Sequence, residues 1–158
     1  MKFSRISTAI IAAAATLLAV PFGAFAQSAP SYNYLGIGGG DDGFVVNGKV
    51  TIADNLSIRP SVATDFDFDD SEDLAYTVPI TYDFNTIGDG RMAFNPFIGA
   101  GVAGDIGEDS DIDFAVTAGA DYRFADRYVA NGSVSYKPFA DDNSDDLGFT
   151  VGIGYVFR

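Results

Sequence analysis

Apolar and polar residues alternate one by one along much of the chain, and the pattern is clearest between Leu147 and Arg158. Every second residue from Leu147 to Phe157 is aliphatic or aromatic, whereas the residues between them are mostly glycine or threonine. A period of two predicts a β-strand, because successive side chains of a strand point to opposite faces. The stretch is also long enough to cross a bilayer, for which a tilted strand needs about 9–11 residues.

Earlier segments of the chain show the same alternation, separated by runs of Gly, Asp and Asn that are typical of turns. No segment with a helical period intervenes, so consecutive strands are predicted to pair as an antiparallel meander. Acidic loops alternate with shorter turns, as in a barrel with an even number of strands. The predicted fold is all-β, an eight-stranded antiparallel up-and-down transmembrane β-barrel, with strands at residues 32–39, 44–53, 56–66, 74–84, 94–103, 112–124, 128–138 and 147–158.

The two faces of the predicted strands differ in charge: from the second strand to the eighth, the apolar face carries no charged residue. A soluble barrel with an apolar interior would show the same alternation. Three features favour the interpretation in which the apolar face contacts lipid. Aromatic residues lie near both ends of the strands, where two membrane interfaces would be. Small residues dominate the polar face, as a narrow lumen requires, and the Lys and Arg residues of the strands share that face.

The first 26 residues have the organisation of a secretory signal peptide. Lys2 and Arg5 give a basic start, residues 9–20 are apolar, and Ala24-Phe25-Ala26 matches an Ala-x-Ala cleavage site. We therefore expect residues 1–26 to be cleaved and residues 27–158 to form one barrel domain. No cysteine of a lipid-anchor motif follows.

Charge and composition exclude several classes of function. The net charge is −13, and it becomes −15 once Lys2 and Arg5 are removed, which argues against a nucleic-acid partner. The chain has neither Cys nor His, so it holds no disulfide, no Ser-His-Asp triad and no cysteine nucleophile. We expect a protein that is not an enzyme.

The turn at residues 53–55 predicts a cluster of charges inside the barrel. If this turn pairs Ile52 with Leu56, then Lys49 lies opposite Arg59 and both point inward. Like charges across a ladder repel, so they need a carboxylate, and Asp83 has the right parity. We expect this network to block the lumen, which in an eight-stranded barrel is just wide enough for side chains. The predicted lumen network, in which Asp121 and Arg123 repeat the arrangement on the sixth strand, comprises Lys49, Arg59, Asp83, Asp121, Arg123 and Lys137.

Two acidic triplets at the loop ends of strands form a candidate divalent-cation rim. Neither is an EF-hand, because the glycine at the sixth position and the glutamate at the twelfth are missing. One interpretation is that they are solvated loop tips. The other is weak capture of Ca²⁺ or Mg²⁺, with bridging to lipopolysaccharide phosphates; no other cofactor is expected. The triplets are Asp65, Asp67 and Asp69, and Asp109, Asp111 and Asp113.

Three short stretches resemble strands of the small eight-stranded outer-membrane β-barrel family, the group of outer-membrane protein A transmembrane domains and opacity-type proteins. They are residues 95–102 (NPFIGAGV), 34–38 (YLGIG) and 152–157 (GIGYVF). In this family the terminal aromatic residues are an assembly signal, which the resemblance carries over to Tyr155 and Phe157, although Arg158 follows here.

The signal peptide and the charge-free apolar face predict a monomer in the cell outer membrane of a Gram-negative bacterium, and the resemblance implies the same location. Its implied partners are membrane lipid, lipopolysaccharide and the barrel-assembly machinery, and its implied role is structural or one of surface interaction. Two alternatives stay open. One is a small, weakly conducting, cation-preferring pore. The other is a soluble secreted or periplasmic β-barrel that binds a small apolar ligand.

Overall fold

The computed structural model describes residues 29–64, 74–88, 93–106, 112–139 and 147–157, so the predicted signal peptide lies outside the described residues. No helix in the described part of the chain is long and apolar enough to cross a membrane. The described strands follow one another without an intervening helix: β1 Asn33–Gly40, β2 Gly43–Ala53, β3 Leu56–Ile58, β4 Ser61–Thr64, β5 Leu74–Asp83, β6 Phe94–Ile106, β7 Ile112–Ala125, β8 Tyr128–Tyr136 and β9 Leu147–Phe157.

The third predicted strand is interrupted at Arg59 and Pro60, which separate β3 from β4. Both pieces pair with β2 on one side and β5 on the other, so they act as one strand of the barrel. Pro60 has no backbone N–H to donate, which breaks the regular ladder at this point. Its carbonyl still accepts a hydrogen bond from Gly48 N at 2.9 Å, and Arg59 N donates to Pro79 O at 3.1 Å. The sequence pattern predicted an unbroken strand, which is wrong at these two residues.

The sheet closes on itself because β1 pairs antiparallel with both β2 and β9. The seam between the first and last strands runs from Asn33 opposite Phe157 to Gly40 opposite Thr150. All the other neighbours also follow chain order and are antiparallel. The predicted closed eight-stranded up-and-down barrel is confirmed.

A bulge sets the register of β2 against β3. Ala53, not Ile52, pairs with Leu56, so the predicted pairing of Ile52 with Leu56 is wrong. Ile52 is the extra residue, and the left-handed φ of 63° at Asn55 shapes the tight turn. Because the bulge absorbs one residue, Val50 returns to register with Ile58. Lys49 and Arg59 therefore come to lie opposite each other, as the sequence predicted.

The apolar face of the strands points outward and the polar face points into the lumen. The outward side chain of Ile80 leaves that residue 54% exposed, whereas Lys49, which points inward, is 1% exposed. The parity assigned from the sequence is confirmed on β2 through β9. On β1, where the sequence pattern was weakest, Leu35 and Ile37 point outward while Tyr34 is buried inside.

Aromatic rings form a continuous belt on the outer surface at one end of the barrel. This end, where the β2–β3 and β7–β8 turns lie, is called the turn end, and the opposite end, where the β1–β2 turn lies, is called the loop end. Successive ring centroids lie 5.1 Å (Phe94–Tyr122), 6.4 Å (Tyr122–Phe124), 6.1 Å (Phe124–Tyr128) and 5.8 Å (Tyr128–Tyr155) apart. At the loop end, Phe114 and Phe139 are neighbours at 6.3 Å. Aromatic rings therefore lie at both ends of the aliphatic zone, as the sequence predicted.

Replacing Ile80 or Val116 by arginine should destabilise the barrel, because each places a charge in the middle of the apolar outer surface. We expect a loss of about 2–4 kcal/mol in the free energy of unfolding in lipid vesicles, measured by urea titration. Ile52→Arg is the matched control, since Ile52 is also half-exposed but lies beside the turn. There the cost should be about 0–1 kcal/mol. Equal stability of all three variants and the wild type would show that the outer surface does not contact lipid.

Candidate functional site

A cluster of charged side chains lies inside the barrel, contributed by strands from several sides of the wall. Lys49 comes from β2, Arg59 from the break between β3 and β4, Asp83 from the end of β5 and Asp121 from β7. Each occupies an inward position of its strand, and each is at least 93% buried. The structure thus brings together four of the six residues of the predicted lumen network.

Arg59 is the centre of this cluster. Its guanidinium binds the Asp121 carboxylate in a bidentate manner: Nη1 donates to Oδ1 at 3.1 Å, and Nη2 donates to Oδ2 at 2.9 Å. Nη2 also donates to Asp83 Oδ1 at 3.1 Å. Lys49 Nζ completes the arrangement at 2.8 Å from Asp83 Oδ2. Two positive and two negative side chains are therefore paired, and charge-assisted, bidentate pairs of this kind are the strongest hydrogen bonds in proteins.

Neutral groups supply further hydrogen bonds to Arg59, Asp83 and Asp121. Ser57 Oγ donates to Asp83 Oδ2, and Arg59 Nε donates to Thr81 Oγ1 at 3.2 Å. On the other side of the lumen, Tyr32 OH donates to Asp121 Oδ2 at 2.6 Å. These contacts matter, because an ion that is buried without partners is strongly destabilising.

Three aromatic residues that the sequence analysis did not assign to the site pack against its cations. The Phe97 ring centroid lies 3.6 Å from Arg59 Cζ, and the Tyr32 ring centroid lies 4.0 Å from Lys49 Nζ. Tyr34 OH accepts a hydrogen bond of 3.4 Å from Arg59 Nη1. Cation–π contacts of this kind strengthen when they are shielded from water. Parity could have identified Phe97, which shares its face with Gly99 and Gly101, whereas the glycine-rich pattern of β1 gave little indication for Tyr32 and Tyr34.

Arg123 and Lys137 do not join the cluster. Asp121 pairs with Arg59 rather than with Arg123, so the predicted ion pair between Asp121 and Arg123 is wrong. Arg123 instead donates from Nη2 to the Asp126 carbonyl at 3.2 Å and lies 5.4 Å from the Tyr32 ring centroid. Lys137 follows the end of β8 and lines the loop-side half of the lumen. Within the described ranges, neither forms an ion pair within 4.0 Å.

Most of the candidate cation rim cannot be placed. Asp65, Asp67, Asp69, Asp109 and Asp111 lie outside the described residues. Asp113 lies on β7, on its inward face, opposite Ala103 of β6. Among the residues that the structure does describe, no three acidic side chains are grouped so that they could hold a metal ion. Weak binding of divalent cations by the loops stays a prediction.

The two residues of the predicted assembly signal lie on the outer surface of β9. Tyr155 pairs with Leu35 of β1 and Phe157 with Asn33, so both border the seam. Tyr155 OH also accepts a hydrogen bond of 2.8 Å from Arg127 Nη1 in the neighbouring turn. The signalling role itself stays a prediction.

No protein-family model matches the sequence, and no curated protein matches it. Several solved structures have a similar fold. The N-terminal β-barrel domain of Pseudomonas aeruginosa OprF has a TM-score of 0.56 at 16% sequence identity, over 83% of this chain and 100% of that one. A de novo designed transmembrane β-barrel also has a TM-score of 0.56 at 16% identity, over 81% of this chain and 97% of the design.

The attachment invasion locus protein Ail of Yersinia pestis is a third solved structure that is similar to this chain. It has a TM-score of 0.49 at 18% identity, over 80% of this chain and 99% of Ail. At these identities, the two structures with the higher TM-scores support the barrel fold and nothing finer.

Removing one carboxylate should harm the barrel more than removing the whole cluster. Asp83→Asn leaves Lys49 buried without a carboxylate, since Asp83 is its ion-pair partner. We expect a loss of about 3–5 kcal/mol in the free energy of unfolding, measured by urea titration in lipid vesicles. The quadruple variant Lys49→Met, Arg59→Met, Asp83→Leu and Asp121→Leu should lose less.

Asp126→Asn is the control for loss of a carboxylate alone, because Asp126 is exposed in the β7–β8 turn. Its effect should stay within about 0.5 kcal/mol of the wild type. A quadruple variant less stable than Asp83→Asn would contradict the view that buried charge, rather than lost packing, determines the cost.

Proposed function

We propose that this chain is an integral outer-membrane β-barrel with a structural or surface-interaction role and a blocked lumen. The observation that carries the proposal is the orientation of the two faces of the sheet. Large apolar side chains face outward around the barrel, and the ionic cluster is enclosed within it.

The outer surface supports the membrane location. Exposed aliphatic side chains on most strands lie between aromatic rings at the two ends, which is how a lipid-facing barrel meets two membrane interfaces. In water, an apolar surface of this extent would drive aggregation. The likeness in fold to the OprF barrel domain and to a designed transmembrane barrel agrees with the proposed membrane location.

The span of the ionic cluster supports the blocked lumen. In the closed sheet, the β3–β4 strand and β7 are three strands apart, so the contact between Arg59 and Asp121 crosses the interior. Tyr32 reaches Asp121 from the opposite side, and Lys49 and Asp83 fill the space between. An eight-stranded barrel has an interior about wide enough for side chains alone, so one such layer is sufficient to close it.

The two alternatives are less well supported. A soluble barrel with an apolar ligand needs an apolar interior, whereas here the interior carries Lys49, Arg59, Asp83 and Asp121. A conducting pore requires a path past Arg59, whose guanidinium is held on both sides by carboxylates.

The distribution of negative charge supports the proposed surface role. Most acidic residues of the chain lie in the segments that connect β1 with β2, β4 with β5, β6 with β7 and β8 with β9. In the proposed orientation these segments face the cell exterior. Such loops would approach lipopolysaccharide phosphates only with divalent cations between them, because like charges repel. We propose that the protein acts as a monomer whose partners are outer-membrane lipid and lipopolysaccharide.

Planar-bilayer recording tests the blocked lumen. The purified wild type should give no steady conductance steps of porin size, because the ionic layer fills the cross-section. A variant in which Lys49, Arg59, Asp83 and Asp121 are all serine should conduct, since the layer is then replaced by small side chains. Well-resolved porin-size steps from the wild type would contradict the blocked lumen.

A further inference from the structure

The loop-side half of the lumen contains a cavity of about 90 Å³. It lies between the ionic layer, where Arg59 and Phe97 form its floor, and the β1–β2 turn at Asp41 and Asp42. Hydroxyl and amide groups supply much of its wall, among them Ser61, Thr77, Thr117, Asn131, Ser133 and Ser135.

Two asparagines in the wall of this cavity have unused hydrogen-bonding atoms. Asn47 Nδ2 donates to Asn131 Oδ1 at 3.1 Å, which joins β2 to β8 across the two strands of the seam. Asn47 is 93% buried, and its Oδ1 has no partner among the described residues. Asn131 Nδ2 is likewise buried and has no partner there. One acceptor and one donor are therefore left, and buried polar groups of this kind are normally satisfied by ordered water.

Glycines beneath the amide pair make room for it. A Cβ atom on Gly152 would lie 3.0 Å from Asn47 Nδ2 and 3.3 Å from Asn131 Oδ1. A Cβ atom on Gly36 would lie 2.7 Å from Asn47 Oδ1. Larger residues at these two positions would displace the amides, so glycine at both positions keeps the amide pair in place.

The opposite end of the lumen is closed to this cavity. Asp121 is 0% exposed and Lys49 is 1% exposed, and Tyr32 packs over Lys49 from the turn end. A molecule that enters from the loop end therefore meets a floor of paired ions and an aromatic ring. Since Arg59 is already paired with two carboxylates, the floor offers no free charge to an ionic ligand.

We propose that the loop-side half of the lumen is a dead-end, water-filled vestibule, in which water binds Asn47 Oδ1 and Asn131 Nδ2 and into which small polar solutes enter from the loop end alone. Its volume suits roughly six water molecules, or one solute of a few heavy atoms. This inference rests on the proposed blocked lumen and adds to it a site, its ligand and a direction of access.

Single cysteines test the vestibule against a clean background, because the chain has no cysteine of its own. Ser61→Cys and Ser133→Cys place a thiol in the vestibule wall, and Ser57→Cys places one inside the ionic layer. Thr51→Cys places one on the turn side of that layer. Each variant is folded into sealed vesicles containing a thiol scavenger, and aminoethyl methanethiosulfonate is added outside. Proteolysis of the loops identifies the molecules whose loop end faces outward.

In those molecules, Ser61→Cys and Ser133→Cys should be modified at least ten times faster than Ser57→Cys and Thr51→Cys. In molecules of the opposite orientation, Thr51→Cys should be the reactive one. If both vestibule thiols react as slowly as Ser57→Cys, the vestibule is wrong and the blocked lumen stands. If Thr51→Cys reacts from the loop side, the blocked lumen itself is wrong.

Nuclear magnetic resonance tests the bound water directly. The side-chain amide protons of Asn131 in lipid nanodiscs should show magnetisation transfer from water. The backbone amide of Ala118, an outward-facing residue of β7 that pairs with Val134 of β8, should show none. Absence of transfer at Asn131 would overturn the water site.

Discussion

Every strand residue of a closed eight-stranded barrel faces either the outside or a narrow lumen. In the proposed membrane location, the outward positions must be apolar, and every charge within a strand must point inward. Lys49 and Arg59 obey this rule, and because they lie opposite each other on adjacent strands, they need negative partners inside the barrel. Asp83 and Asp121 supply them, so the ionic layer follows from the same constraint that produces the apolar exterior.

The ionic layer in turn organises the rest of the lumen. Arg59 lies where Pro60 breaks the regular strand, and its guanidinium reaches across the interior to Asp121. The aromatic rings of Tyr32 and Phe97 cover the cations on either side. Beyond this layer the lumen is lined by small hydroxyl and amide groups, which leave space for water. A buried layer and a hydrated half are thus two consequences of how large and small inward residues are distributed along the strands.

The fold was predictable from the sequence because its main signal is local. Alternation identified eight strands and both faces, and the register of Lys49 against Arg59 followed from counting residues around one turn. The bulge at Ile52 could not be seen in the pattern, since Ile52 points outward, as the alternation from Val50 requires. The partner of Asp121 was also not predictable: its contact with Arg59 is 62 residues distant in sequence and depends on how the closed barrel places opposite walls. Asp121 and Arg123 share a strand and a parity, which suggested a pairing that the geometry does not make.

Fractionation of cells that express the full chain shows whether the apolar face of the barrel contacts lipid. In a Gram-negative host, periplasmic extract, inner membrane and outer membrane are separated, and the membranes are washed with urea. The mature chain should remain in the outer-membrane fraction and be released only by detergent. Recovery of the folded chain in the periplasmic extract without detergent would show that the apolar face does not contact lipid.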